Sequence, residues 1–255
     1  MHSLLALPLL LVAVTANAGG SVSTSRTALV IHGGAGAIER STLSTEDERA
    51  IRADLDRALD AGDAVLSNGG AALDAVEAAI VVLEDSPRFN AGKGAVFNAS
   101  AQHELDAAIM EGHTHRAGAV AGVVTVRNPI KLARAVMEHS KHVMLAGAGA
   151  EQFADTRRDI ERVPNTWFDT DIRRQQLDKA RATEQNQAVS GVPAMPGGYF
   201  GTVGAVALDM HGHIAAATST RRSPPTSRSG APPTRATSLI AATRRSPSTT
   251  CATAT

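Results

Sequence analysis

The chain has 255 residues, 43% of them apolar, and 25 basic against 25 acidic side chains leave a net charge near zero. That composition suits a soluble globular protein of one large domain or two small ones. Balanced charge leaves no electrostatic footprint for nucleic acid or a membrane surface, and aromatics at 3% offer little for base stacking. The single cysteine, Cys251, permits neither an intrachain disulfide nor a cysteine-based zinc site.

The first element is an apolar run from Leu4 to Val14 followed by Ala16-Asn17-Ala18. A short apolar core before a small-x-small triplet reads as a leader peptide cut after Ala18, and the run is too short to span a bilayer. The expected location is therefore secreted or periplasmic, with a mature region from Gly19; the plainer alternative is a buried first strand. Ala28-Leu29-Val30-Ile31 then reads as a strand that runs into His32-Gly33-Gly34-Ala35-Gly36. This glycine turn is similar both to a phosphate-binding turn and to a hydrolase oxyanion loop, but with no GxGxxG, no following Lys-Ser/Thr and no G-x-S-x-G elbow it reads, taken alone, as a tight structural turn.

From Ser44 the period becomes helical. Ser44 is an N-cap, Glu46, Asp47 and Glu48 complement the helix dipole, and Ile51, Leu55 and Leu59 share a face. Asn68-Gly69-Gly70 stops that helix, and a second, apolar on most sides, covers about 71–84 and ends before Pro87. Residues 119–126 and 142–146 read as strands, with a helix from Asn128-Pro129 to about His139 between them. Strand and helix signals alternate, so the fold is mixed α and β. The polar stretch 171–187 and the turn-rich 192–198 together predict an exposed loop over 171–200. Strands follow at 202–208 and 213–217. Residues 221–255 hold five prolines, six arginines, fourteen Ser/Thr and no acid, a composition that predicts disorder.

Three groups of residues bear on chemistry. His103, His113, His115, His139 and His142 have no partners at metal-ligand spacing and read as exposed loop histidines. Glu104 and Asp106 form either a carboxylate pair or two solvated or salt-bridged acids. Gly201-Thr202 joins the predicted loop to a buried-looking strand. Glycine lets a scissile bond adopt a strained conformation, and the Thr hydroxyl can attack the preceding carbonyl. Once cut, Thr202 would own a free α-amine of pKa about 7.7–8.0, able to take the proton of its own hydroxyl.

Six blocks in order carry a resemblance over about 29–220: IHGGAGA (31–37), RFNAGKGAVF (88–97), ELDAAIMEG (104–112), AGAVAGVVTVRNP (117–129), residues 143–149, and GTVGAVALDMHGHIAAATST (201–220). Together they resemble the plant-type L-asparaginase/isoaspartyl peptidase family of N-terminal-nucleophile hydrolases. The resemblance implies an α+β fold, a four-layer αββα sandwich, made as a precursor that cuts itself before Thr202 and assembles as a dimer of αβ units. Residues 19–201 correspond to the α-subunit, with 171–200 as its linker, and 202–220 begin the β-subunit. Thr202 corresponds to the nucleophile, Thr220 to a second hydroxyl that orients it, and Asn90 to the active-site surroundings. The main-chain carbonyls of Leu83, Glu84, Ser86, Phe89, Ala91 and Lys93 correspond to ligands of a structural sodium, and no cofactor is implied for catalysis. The implied reaction is hydrolysis of L-asparagine and β-aspartyl dipeptides through a Thr acyl-enzyme; small molecules are the partners, with neither nucleic acid nor membrane.

The pattern departs from the family after Thr220. There the family continues with a diglycine and a segment holding another supporting Thr, the oxyanion donor, and the Arg and Asp that grip the substrate. Here Arg221-Arg222 and the acid-free stretch follow, which reads as a reading-frame shift or gene-model error. Two alternatives stay open: a truncated, catalytically inert member, and a glycosylasparaginase-type hydrolase.

Overall fold

The computed structural model describes residues 26–35, 44–190, 201–221 and 239–245. The predicted leader, Gly36 and Ala37 of the first block, residues 191–200, and most of 222–255 lie outside the described residues.

Seven strands form one sheet in the order β4-β3-β2-β6-β5-β1-β7. They are β1 (Ala28–Ala35), β2 (Leu105–Glu111), β3 (Ala117–Val123), β4 (Met144–Ala146), β5 (Val203–Leu208), β6 (Ile214–Arg221) and β7 (Leu239–Arg245). Neighbours are antiparallel except β3 and β4, which run parallel. A parallel pair needs a crossover, and α3 (Pro129–His139) supplies it. The other helices are α1 (Thr45–Ser67), α2 (Ala72–Asp85), α4 (Gly147–Asp155) and α5 (Asp171–Ser190).

Period-two alternation decides which face of the sheet is covered. Leu29, Ile31, Leu105, Ile109, Val203, Ala205, Ala215 and Ala217 are buried and form one core with the apolar faces of α1, α2 and α3. Each fully buried Leu or Ile contributes about 1.5–3 kcal/mol. On the other face, Val30 pairs with Val206, Val206 with Ala216, and Ala216 with Met110. Val30, Val206 and Met110 in this row are exposed, as is Ile214. The mixed α+β class is as the sequence predicts; of the two sheets that the resemblance implies, the described residues form one.

Local chemistry explains the helix ends. Ser44 Oγ accepts the Asp47 N–H at 3.0 Å and caps α1. Midway along α1, a Cβ on Gly62 would lie 2.6 Å from Leu29 Cδ2 and 2.9 Å from the Ala75 carbonyl, so glycine alone lets α1 approach β1 and α2 together.

Two readings of the sequence are corrected. The charge of residues 171–187 predicts a loop, yet α5 runs unbroken through Ser190. Arg, Gln, Leu, Lys, Ala and Glu are good helix formers, and no glycine or proline interrupts them before Gly191. The composition of 221–255 predicts disorder, yet Arg221 ends β6 and Leu239–Arg245 pairs with β1 as β7. The strand is proline-free, and the outer side of β1 offers unpaired backbone groups to any segment able to extend along it.

Candidate active site

The hairpin of β5 and β6 places the central residues. Its turn is fixed by Asp209, whose Oδ1 accepts the N–H groups of His211 and His213 at 2.9 and 3.0 Å. Asp209 Oδ2 accepts the Ala72 N–H at 3.1 Å, so one buried carboxylate closes the hairpin and caps α2. Burial pushes its pKa up, but the N–H groups of Ala72, His213 and His211 outweigh this and hold it below the usual carboxylate value.

At the opposite end of the hairpin, Val203 faces Ser219, which brings Thr202 beside Thr220. Thr202 Oγ1 donates to Thr220 Oγ1 at 3.2 Å, and Thr220 Oγ1 lies 3.3 Å from the Gly201 carbonyl oxygen. One hydroxyl therefore touches both a second hydroxyl and the carbonyl of the bond between Gly201 and Thr202. Both distances are long for O–H···O bonds, as is common before a reacting group closes in.

Two loops close around this point. Asn90 is buried, and its Oδ1 accepts the Val96 N–H at 3.0 Å, which fixes the amide plane. A Cβ on Gly201 would stand 3.1 Å from Asn90 Cβ, so Asn90 lies against the backbone at the junction. From the other side comes the turn at the end of β1: a Cβ on Gly34 would lie 3.9 Å from Gly201 Cα, and His32 Nδ1 accepts the Gly34 N–H at 3.3 Å. Burial lowers the pKa of His32 and favours the neutral ring that this bond requires. Sequence alone reads the glycine turn as structural, because β1 and β5 are far apart in the chain. Only their pairing brings Gly34 to Gly201.

Asn90 belongs to the segment 83–94. Leu83, Glu84, Ser86, Phe89 and Ala91 are buried. Asp54 holds the segment through Ser86 Oγ and through Arg88 Nη1 at 3.0 Å. Gly92, at φ +50°, packs on the Glu84 carbonyl, and Gly94 packs on the carbonyls of Phe89 and Pro87, where a Cβ would collide. Of these carbonyls, those of Glu84 and Phe89 are among the six that the resemblance assigns to a sodium, while the Ala91 carbonyl accepts the Gly94 N–H at 3.1 Å. The Lys93 ammonium is drawn off to the Trp167 carbonyl and ring face, leaving its main chain in the turn. Main-chain carbonyls are the kind of oxygen ligand that a hard cation takes. The Glu84 side chain points elsewhere: its Oε1 accepts the Ile130 N–H at 3.1 Å and caps α3. Full burial raises its pKa to about 8, against the opposing pull of Ser219, the Ile130 N–H and Asn128.

The remaining candidates fall outside this centre. His103 is fully buried, a correction to its reading as an exposed loop histidine; its ring packs 4.1 Å from that of Phe97 and its Nε2 meets Asp169 at 3.1 Å. Its immediate neighbours in sequence, Gln102 and Glu104, are polar, so nothing local signals burial. His113 stacks on His213 with centroids 4.0 Å apart, while His115, His139 and His142 are exposed. Glu104 accepts from the Asn98 amide at 3.1 Å and Asp106 from the Gly122 N–H at 2.8 Å, so Glu104 braces the turn before β2 and Asp106 the irregular start of the β2–β3 pairing. Among the described residues no helix is long and apolar enough to cross a membrane.

Comparison with known proteins agrees on one family. The model of a family described as asparaginase matches residues 25–222. The chain is similar to the isoaspartyl peptidase of Escherichia coli (strain K12), 49% identical over 195 residues, covering 75% of this chain and 60% of that protein. It is 47% identical over 197 residues to the isoaspartyl peptidase of Salmonella typhimurium, covering 77% and 63%. It is 40% identical over 192 residues to the isoaspartyl peptidase/L-asparaginase of Homo sapiens, covering 75% and 59%. The chain thus spans less than two thirds of the length of these relatives.

Proposed function

The chain belongs to the asparaginase family, and on that premise we propose that it cuts itself between Gly201 and Thr202 and is of the threonine-hydrolase type that acts on L-asparagine and β-aspartyl dipeptides. One observation carries the reading: the Thr220 hydroxyl lies 3.2 Å from the Thr202 hydroxyl and 3.3 Å from the Gly201 carbonyl oxygen. Attacking hydroxyl, assisting hydroxyl and scissile carbonyl are held together at one strand end.

In the first stage, Thr202 Oγ bonds to the Gly201 carbonyl carbon, the Gly201–Thr202 C–N bond breaks, and the hydroxyl proton ends on the Thr202 nitrogen. Thr220 donates to the carbonyl oxygen as negative charge builds there. Water then hydrolyses the ester, leaving a Gly201 carboxylate and a Thr202 that carries both its hydroxyl and a free amine. In the second stage that amine takes the Thr202 hydroxyl proton. The oxygen attacks the side-chain amide carbonyl of the substrate, ammonia or an amino acid departs with the proton, and water releases aspartate from the ester.

The neighbouring loops would position this centre. Asn90 would set one wall through its contact with Gly201. A sodium ion held by the carbonyls of Leu83, Glu84, Ser86, Phe89, Ala91 and Lys93 would stiffen the loop that carries Asn90. What supports it is the packing of Gly92 on the Glu84 carbonyl and of Gly94 on the Phe89 carbonyl. Assembly as a dimer of αβ units and an exported location complete the reading.

The test is a time course of the purified chain by intact mass. Two fragments should appear, the second beginning at Thr202, and Thr202→Ala should stay whole. Ammonia release from L-asparagine needs in addition the oxyanion donor and the substrate-gripping Arg and Asp that the resemblance places after Thr220, and the acid-free stretch that follows Thr220 here offers no Asp, so this chain should be silent in that assay. Cutting that persists in Thr202→Ala would sink the reading.

A further inference from the structure

His103 is fully buried outside the reacting centre, yet a series of contacts ties it to Asn90. The chain leaves Phe97, turns through residues 98–102 and returns at His103. In that turn the Asn98 N–H donates to the Gln102 carbonyl at 2.7 Å, and the Gln102 N–H to Asn98 Oδ1 at 2.9 Å. His103 thereby comes back beside Phe97, with ring centres 4.1 Å apart, and its ring also faces the main chain of Ala95 and Val96. Val96 is the residue whose N–H holds Asn90 Oδ1 at 3.0 Å, and Asn90 in turn lies against Gly201.

A second segment fixes the histidine. Asn165 opens the short helical turn Asn165–Phe168, and Asp169 caps its end. Asn165 Oδ1 accepts the His103 N–H at 3.0 Å, and Asn165 Nδ2 donates to the His103 carbonyl at 2.9 Å. Asp169 Oδ1 meets His103 Nε2 at 3.1 Å. A carboxylate only accepts, so Nε2 carries the proton and the ring cannot turn over without losing this bond. Asp169 Oδ2 accepts from Arg174 at 2.7 Å, and that guanidinium lies 4.1 Å from the centre of the Phe97 ring. Asp169 thus joins two groups that both touch Phe97.

We propose that His103 is a positioning residue for self-cleavage: held by Asp169, it fixes Phe97 and Val96, and through the Val96 N–H it sets the Asn90 amide that stands at Gly201. The proposal rests on the self-cleavage reading given above. His103 acts at one remove from Thr202, so its loss should misplace Asn90 and leave the reacting hydroxyls in being. A misplacement of about 1 Å costs up to about a hundredfold in rate.

The experiment measures cutting by intact-mass time course, beside a thermal melt, for full chains carrying His103→Ala, Asp169→Ala or Asp169→Asn, each alone and with Asn90→Ala. Asp169 is 36% exposed, so Asp169→Ala frees the His103 ring without emptying the core, and it decides the matter should His103→Ala fail to fold. Either alanine variant should slow cutting at Gly201–Thr202 by up to about a hundredfold. Asp169→Asn, whose amide oxygen still accepts from Nε2, should recover most of the rate. In the Asn90→Ala chain no amide is left to place, so Asp169→Ala should change the rate by less than about twofold. A merely structural role would slow cutting by the same factor in both backgrounds, and that result overturns the proposal. Wild-type cutting in Asp169→Ala overturns it too, as does an Asp169→Asn chain no faster than Asp169→Ala; this last comparison decides if Asn90→Ala does not cut at all. A wild-type chain that never cuts overturns the self-cleavage reading itself, and that failure is recognised because it appears without any substitution.

Discussion

Replacing Thr220 by Val removes one hydroxyl and keeps the branched shape that β6 accommodates. Two contacts vanish, to Thr202 Oγ1 at 3.2 Å and to the Gly201 carbonyl oxygen at 3.3 Å. Loss of a single oxyanion donor typically slows acyl transfer by about 10²–10³. Both contacts are long before reaction, which places the expected loss at the lower end, about a hundredfold in the rate of cutting at Gly201–Thr202. Stability should hardly move. A neutral hydrogen bond contributes only about 0.5–1.5 kcal/mol net, and Val is as good a strand former as Thr. The melting temperature should therefore drop by no more than about 6 °C. The assay is a denaturing-gel or intact-mass time course beside a thermal melt on the same preparation. Thr220→Val cutting at the wild-type rate would refute the assisting role; slow cutting with a collapsed melt would show damage to the sheet instead.

Three further outcomes are expected. Burial holds the His103 pKa below 6.5 even though Asp169 pulls it upward. The stability contributed by the neutral ring is complete above pH 6.5 and is lost as pH falls through the folded value, by up to about 1.4 kcal/mol per pH unit. Urea titrations between pH 5 and 7 should show this slope in the wild type and a flatter one in His103→Gln; parallel slopes would contradict it. Gly62→Ala puts a methyl 2.6 Å from Leu29 Cδ2 and 2.9 Å from the Ala75 carbonyl, so it should cost about 1–3 kcal/mol by overpacking, and an unchanged melting temperature would contradict the close approach of α1. Exchanging sodium for an organic cation at constant ionic strength should lower the melting temperature by mass action, and a melt indifferent to sodium would remove the ion from the loop.

How much of this could be read from the chain depended on range. Ser44 with its acidic first turn, the period of Ile51, Leu55 and Leu59, and the Asn68-Gly69-Gly70 stop are local signals, and α1 lies where they put it. The Gly201-Thr202 junction was visible as a loop-to-strand boundary, but its meaning came from the six-block resemblance, for the dipeptide alone is common. Contacts made by pairing had no local signature. Gly34 meets Gly201 only because β1 aligns with β5, and Asp209 reaches the start of α2 from more than a hundred residues away. The misreadings at α5 and β7 share one cause. Charge and small polar residues report a lack of core, whereas a helix can be held by arginines on carbonyls and a strand by the edge of β1.

The central claim is that Thr202 Oγ itself attacks the Gly201 carbonyl, and an ester between them is its direct trace. Incubating freshly purified chain with hydroxylamine and measuring the mass of the fragment that ends at Gly201 reads that ester. A Gly201 hydroxamate paired with a Thr202 N-terminus, and no fragments from Thr202→Ala, is the expected result. A free Gly201 carboxylate alone at every hydroxylamine concentration, with cutting retained in Thr202→Ala, would contradict it.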